Sequence, residues 1–156
     1  MSLLDVVIIG AGPAGLAASI ECSEKDLSHR VIEKGSIVES LRRFPTNMVY
    51  FTTPDLLEIG DLPLVTSHEK PSRLEALKYY RRVADRYRLP LNLYEKVEEV
   101  GRQNGLFRVR TTLQARKTGV GMWRSSEAKS CRSLMPRAER RAHRRPFHAV
   151  VRPHSL

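Results

Sequence analysis

The chain has 156 residues, a net charge of +10 and two cysteines, Cys22 and Cys131, far apart in sequence. That length suits one domain with a real core. The cysteine spacing suggests neither a disulfide framework nor a zinc site and fits a reducing cytoplasm. No apolar run approaches the ~20 residues of a membrane span, and Val6 to Ile9 is too short for the core of a signal peptide. The charge is unevenly placed. Residues 113–156 carry 11 Lys/Arg against 2 Asp/Glu, whereas residues 1–112 carry 16 against 15. The basic character therefore belongs to the tail.

Asp5-Val-Val-Ile-Ile9 is a short β-branched run, as expected of a strand buried on both faces of a parallel sheet. A glycine turn follows, and then Pro13 to Lys25 reads as a helix with Leu16, Ala17, Ile20 and Cys22 inward. Pro13 suits a first helical turn, where its missing N–H costs nothing. Arg30 to Glu33 reads as a second strand, so the opening is a βαβ unit with a right-handed crossover. Ile37 to Tyr50 reads as a short helical piece and a loop, and Asp55 to Thr66 as a long irregular connection. Ser72-Arg-Leu-Glu75 has capping-box spacing and opens a helix whose stripe reads Leu74, Leu77, Tyr80 or Arg81, Ala84 and Tyr87. Leu91 to Tyr94 reads as a third strand. Val97–Val100 and Leu106–Thr111 read as a hairpin turned by Asn104-Gly105. After Thr112 no period is visible, and self-repelling basic segments of this kind are usually disordered.

Gly10-x-Gly12-x-x-Gly15 sits between the first strand and the first helix, the context a dinucleotide fingerprint requires. Gly10 permits the tight turn, Gly12 leaves the backbone open to a pyrophosphate, and Gly15 lets helix and strand pack closely. The helix N-terminus presents free N–H groups to the phosphates. Glu33 ends the second strand, 18 residues after Gly15. A carboxylate there accepts both ribose hydroxyls of an adenosine and repels the extra phosphate of an NADP-type ribose. The fingerprint at the chain start, Pro13-Ala14 inside the turn and Lys34 after the acid resemble flavoproteins more than simple NAD dehydrogenases.

Residues 1–112, about seventy per cent of the chain, resemble the FAD-binding start of thioredoxin-reductase-like flavoproteins, most closely the YpdA-type bacillithiol disulfide reductases. The likeness is carried by VVIIGAGPAGLAASIE, VIEKGSIVESL, RFPTNMVYFTTPDLLEIGDLPL and KPSRLEALKYYRRVADRYRLPLNLYEKVEEV. It implies a Rossmann-like three-layer α/β domain, a short parallel sheet plus a β-hairpin, here incomplete; the disordered basic tail is read from the composition of residues 113–156 and not from the resemblance. It implies that Gly10, Gly12, Pro13, Ala14 and Gly15 surround the FAD pyrophosphate. Glu33 then holds the ribose with Lys34 nearby, Val97 meets the adenine through its main chain, and Thr46, Phe51 and Thr52 lie near the flavin ring. It implies an oxidoreductase passing hydride from NAD(P)H through the flavin to a disulfide or related small-molecule acceptor.

Two departures matter. The YpdA type commonly has a cysteine in its glycine turn, where this chain has Ala14, and Cys22 reads as a structural thiol two helical turns away. The second glycine fingerprint for NAD(P)H, the Ala-Thr-Gly return strand and the Gly-Asp motif of the full-length family are not found. The expectation is therefore a partial FAD-binding domain over 1–112, with a frameshifted tail over 113–156 and weak cofactor binding and little turnover on its own. Loss of the return strand is expected to leave apolar sheet surface uncovered. The competing reading is a non-catalytic nucleotide-binding module whose basic tail meets nucleic acid or an acidic partner. The tail lacks aromatic interleaving apart from Trp123 and Phe147, which argues against nucleic acid. Whether the protein is a homo-oligomer is open at this level.

Overall fold

A computed structural model describes residues 2–114 and 148–151 of the chain. Strands β1 (Ser2–Leu4) and β2 (Val6–Ile9) are separated only by Asp5. Helix α1 (Pro13–Glu24) leads to β3 (His29–Glu33), α2 (Glu39–Arg42), a 3-10 turn at Pro54–Leu57, and helix α3 (Arg73–Arg86). Then come β4 (Leu91–Leu93), β5 (Glu95–Gln103), β6 (Leu106–Leu113) and β7 (His148–Val151).

β2, β3 and β4 form a parallel sheet in that order, and β1, β7, β6 and β5 form a second sheet. α1 lies against β2 and β3 and touches α3, while β5 approaches β3. The result is the expected α/β layering of helices, parallel sheet and hairpin sheet. Leu16, Ile20, Val31, Leu77, Tyr80, Val83, Leu91 and Leu93 are among the core residues that join the helices to the parallel sheet. Cys22 is buried, as a structural thiol should be, and burial pushes its pKa up.

The hairpin forms where Asn-Gly sets it. Asn104 and Gly105 both have positive φ (52° and 77°), and Gln103 pairs with Leu106 across the two-residue turn. This is the backbone that a type I′ turn needs. In α3 the stripe is shifted from its expected place. Ala76, Leu77, Tyr79, Tyr80, Val83 and Ala84 are buried, whereas Leu74 is 53 % exposed. At ~100° per residue Leu74 falls outside the arc of the helix that carries Ala76, Tyr80 and Val83.

The capping box is made in full. Ser72 Oγ accepts from the Glu75 N–H (3.3 Å), and the Ser72 N–H donates to Glu75 Oε2 (2.8 Å). Backbone N–H groups of Ser67 and then Ser72, with the Ser72 hydroxyl, hold the Glu75 carboxyl down at about 2. A depressed carboxyl contributes stability above its ordinary range and loses it as pH falls toward the folded value. Glu75→Gln is therefore expected to cost about 1 kcal/mol at neutral pH, with the gap to wild type closing between the ordinary carboxyl range and about pH 2. Urea midpoints across that range test this, and a gap that does not change with pH would contradict it.

Two tyrosines of α3 and the one at its C-cap fix the irregular segment before it. Tyr79 Oη accepts from the Ile59 N–H (2.8 Å) and donates to the Leu62 carbonyl (2.8 Å). Tyr80 Oη donates to Leu57 O (2.9 Å), and Tyr87, at the C-cap, accepts from the Asp61 N–H (2.7 Å). Tyr79→Phe removes both bonds from a side chain only 4 % exposed. The expected loss is about 1–3 kcal/mol, with faster amide exchange at Ile59. Unchanged exchange there would show that the hydroxyl does not hold the loop.

The expectation that no strand follows Thr112 is overturned. β6 runs on to Leu113, and β7 enters between β1 and β6, parallel to one and antiparallel to the other. Ala149 of β7 is 1 % exposed. β7 thus pairs the edges of β1 and β6, while apolar surface stays exposed on the parallel sheet, where Ile9 of the outer strand β2 is 60 % exposed. β7 ends at Val151, and the sequence that follows it, Arg152-Pro153, is not the Ala-Thr-Gly of the resemblance. The disorder expected over 115–147 and 152–156 lies outside the described residues. Among the described residues no helix is long and apolar enough to cross a membrane.

Candidate functional site

The glycine turn is assembled by backbone bonds before any ligand arrives. Gly10, at φ +105°, donates its N–H to Ile32 O (2.8 Å), which ties the end of β2 to β3. Only glycine adopts that φ freely. Ala11 is fixed twice, since its N–H donates to Glu33 Oε2 (2.9 Å) and its carbonyl accepts from the Val38 N–H (2.9 Å). Gly12 is the N-cap of α1, with Pro13 behind it, and its carbonyl accepts the first helical bond from Leu16 (2.9 Å). No side chain caps this end. The N–H groups of Ala14 and Gly15 therefore have no acceptor within the helix.

The glycines differ in what surrounds them. A Cβ on Gly15 would lie 2.0 Å from the Gly10 carbonyl oxygen, so this position is closed by the helix-to-strand contact itself. A Cβ on Gly12 would meet nothing within 4 Å. Open space beside an uncapped helix start is what a pyrophosphate needs, so the residues present fit a dinucleotide.

Glu33 is nearly buried, at 9 % exposure, and both of its oxygens accept backbone bonds. Oε2 takes Ala11, and Oε1 takes the Gly35 N–H at 2.7 Å. Lys34 points outward. Gly35 O accepts from the Tyr94 N–H (3.1 Å), which brings the start of β5, and so Val97 two residues into that strand, beside the Glu33 end of β3. The structure thus gathers Gly10 to Gly15, Glu33, Lys34 and the base of the hairpin.

Thr46, Phe51 and Thr52 belong to a different neighbourhood. Arg73 reaches back from the start of α3 to the Thr46 carbonyl (3.5 Å) and, through its N–H, to the Met48 carbonyl (2.9 Å). Tyr50 donates its N–H to Pro71 O (2.8 Å). Phe51 is 98 % exposed, whereas Thr52 Oγ1 and Tyr50 Oη are buried without a hydrogen-bond partner. Burial pushes the Tyr50 phenol up.

Four residues escaped the sequence reading. Ala11 carries two of the turn's bonds through its backbone, which no side-chain pattern announces. Val38 stands in the left-handed region (φ 48°, ψ 44°) while fully buried, a costly conformation for a β-branched residue. Ser36 and Glu39 were legible, since they repeat the Ser-x-x-Glu spacing of Ser72 and Glu75. Ser36 donates to Glu39 Oε2 from both its N–H (3.1 Å) and its hydroxyl (2.7 Å).

Residues 7–120 match the pyridine nucleotide-disulphide oxidoreductase family. Over 80 residues the chain is 44 % identical to the bacilliredoxin reductase Bdr of Bacillus subtilis, covering 51 % of this chain and 25 % of that protein. The bacillithiol disulfide reductase Bdr (YpdA) of Staphylococcus aureus superposes with a TM-score of 0.70 at 41 % identity, over 72 % of this chain and 35 % of its own. That of Bacillus cereus gives 0.74 at 31 %, over 96 % and 38 %. The chain spans about a quarter to two-fifths of the length of these relatives.

Proposed function

The chain belongs to the pyridine nucleotide-disulphide oxidoreductase family, and we propose that it is the FAD-binding part of an NAD(P)H-dependent member acting on a disulfide or related acceptor. The observation that carries the reading is the turn itself. An acid on the second strand is bonded to the backbone of a glycine turn whose middle glycine faces open space. The printed functions of the relatives support the acceptor class, since two of them are bacillithiol disulfide reductases. Support for the cofactors comes from a flavin-containing monooxygenase of Stenotrophomonas maltophilia, at 25 % identity, and from a steroid monooxygenase bound to NADP, at 27 %.

In this reading Gly10, Gly12, Pro13, Ala14 and Gly15 enclose the pyrophosphate, and the N–H groups of Ala14 and Gly15 donate to it. Glu33 accepts the adenosine ribose hydroxyls, Lys34 stands beside them, and the Val97 main chain meets the adenine. Thr46, Phe51 and Thr52 line the flavin side, where the unpartnered Thr52 hydroxyl gains an acceptor or donor. FAD supplies electron transfer between a nicotinamide donor and the acceptor, while the protein supplies binding and orientation. Ala14 offers no thiol in the turn, and Cys22 is buried in α1 with its pKa raised, so neither takes part in disulfide exchange. A cytoplasmic location goes with this chemistry. The alternative of a basic-tailed nucleotide-binding module draws no support from these relatives.

One glycine fingerprint serves one dinucleotide, so the 156-residue chain is proposed to bind FAD without oxidising NAD(P)H. Titration of the chain into FAD and into FMN, followed by flavin fluorescence anisotropy, tests the binding. FAD is expected to bind and FMN, which lacks the adenosine, to bind far more weakly. Equal binding of the two, or none, would overturn the reading.

A further inference from the structure

The joint between the two sheets holds a carboxylate that the site above does not use. Glu95 opens β5 and is 2 % exposed. Its Oε2 accepts from Asn92 Nδ2 (2.9 Å) on β4, and its Oε1 accepts from the Thr111 hydroxyl on β6. Thr111 is itself 3 % exposed and is the register partner of Val97. Asn92 is the register partner of Ile32, next to Glu33. One side chain therefore joins β4, and through it the Glu33 end of β3, to the strand that faces Val97.

The surrounding backbone needs such a joint. Tyr94 turns the chain from one sheet to the other at φ +58°, a left-handed conformation for a bulky residue. The β5–β6 register then breaks between Val97 and Glu99. Val97 thus lies between a strained corner and an irregularity, where a strand is free to slip unless something fixes it. One Glu95 oxygen bonds a side chain ahead of that corner and the other bonds the residue opposite Val97.

We propose that Glu95 is a positioning residue: through Asn92 and Thr111 it sets the register of β5 so that the Val97 main chain faces the adenine held beside Glu33. This rests on the FAD reading for its ligand, but the lock itself is a property of the chain. A leucine at 95 keeps the bulk and removes both acceptors. A glutamine keeps an acceptor for Asn92 and offers an N–H that the Thr111 oxygen accepts, so it rescues the joint.

The test uses the full 156-residue chain, with FAD and its hypoxanthine analogue as probes, since the two differ only at the base edge that a main chain reads. Wild type and Glu95→Gln are expected to prefer FAD by about tenfold, one hydrogen bond's worth. Glu95→Leu is expected to bind both alike, with faster amide exchange at Val97 but not at Leu93. Thr111→Val, a milder change, should move both readouts the same way if Glu95→Leu does not fold. Exchange at Val97 unchanged in the foldable variants, or base preference retained, overturns the proposal. A wild type that binds neither dinucleotide defeats the FAD reading alone, and the exchange at Val97 still decides the lock.

Discussion

Gly12→Ala is expected to lower FAD affinity by roughly 100-fold while leaving the unliganded fold within about 0.5 kcal/mol of wild type, and Gly15→Ala to do the reverse of the second part by destabilising the fold itself. The two positions belong to one motif but answer to different physics. Gly12 has φ −77° and ψ 177°, which alanine adopts without strain, and the added methyl touches nothing within 4 Å. The methyl enters open space beside the uncapped start of α1, where the pyrophosphate is proposed to lie. A phosphate pushed off one charge-assisted bond, or two, loses the stated factor.

At Gly15 the methyl would lie 2.0 Å from the Gly10 carbonyl oxygen and 3.5 Å from an Ile8 methyl. The first contact is with backbone, so no rotamer relieves it. Helix α1 must move off β2, and the Gly10 bond to Ile32 and the Ala11 bond to Glu33 move with it. The cost is about 3 kcal/mol, the upper range for overpacking, a large share of a small domain's stability. Thermal or urea unfolding of both unliganded variants, beside FAD titration, checks the pair. FAD binding by Gly12→Ala at wild-type affinity would sink the pyrophosphate assignment. A Gly15→Ala chain as stable as wild type would contradict the observed helix-to-strand contact.

What was readable in advance follows from how local each cause is. The glycine turn, the Ser72–Glu75 cap and the Asn104-Gly105 turn are set by residues within five positions of one another, and each stands where expected, whereas β2 lies at the sheet edge with Ile9 60 % exposed and is not buried on both faces. β7 was not readable, because His148-Ala-Val-Val151 is too short to show a period. It is a strand because β1 and β6 offer free edges to both sides of it. Leu74 was misplaced for a related reason: helical spacing gives a stripe, but its phase depends on which side of the helix the neighbours lie. The tyrosine hydroxyls of α3 and its C-cap bond to loop backbone 17 to 26 positions away, a pairing that no periodicity encodes. Within the candidate site, the turn and its acid were legible as types at a spacing. Their mutual bonds through Ala11 and Gly35 were not, since these are backbone groups.

Those bonds give Glu33 a structural duty beside its proposed contact with the ribose, and Glu33→Gln is expected to expose it. A carboxylate offers about four acceptor positions, and a side-chain amide oxygen about two. Two of the four are taken by the Ala11 and Gly35 N–H groups, one on each oxygen, which leaves two for the ribose hydroxyls. Glutamine must turn its NH2 toward one of the two backbone donors, and at 9 % exposure water is poorly placed to relieve that donor. Glu33→Gln is therefore expected to lose about 1–3 kcal/mol of stability without any ligand, and to lose at least tenfold in FAD affinity as well. Were the acid only a ligand contact at the end of a strand, the unliganded variant would unfold at the wild-type urea concentration. Comparing the two unliganded proteins separates the roles, because the stability term is read before FAD is added. Glu33→Asp sharpens the comparison, since it keeps the charge but shortens the reach. If the carboxylate braces the turn, Asp is expected to lose one of the two backbone bonds and to fall between Gln and wild type in stability. A Glu33→Gln chain with unchanged stability would return Glu33 to the role of ribose acceptor alone and leave the Ala11 N–H to be satisfied by solvent.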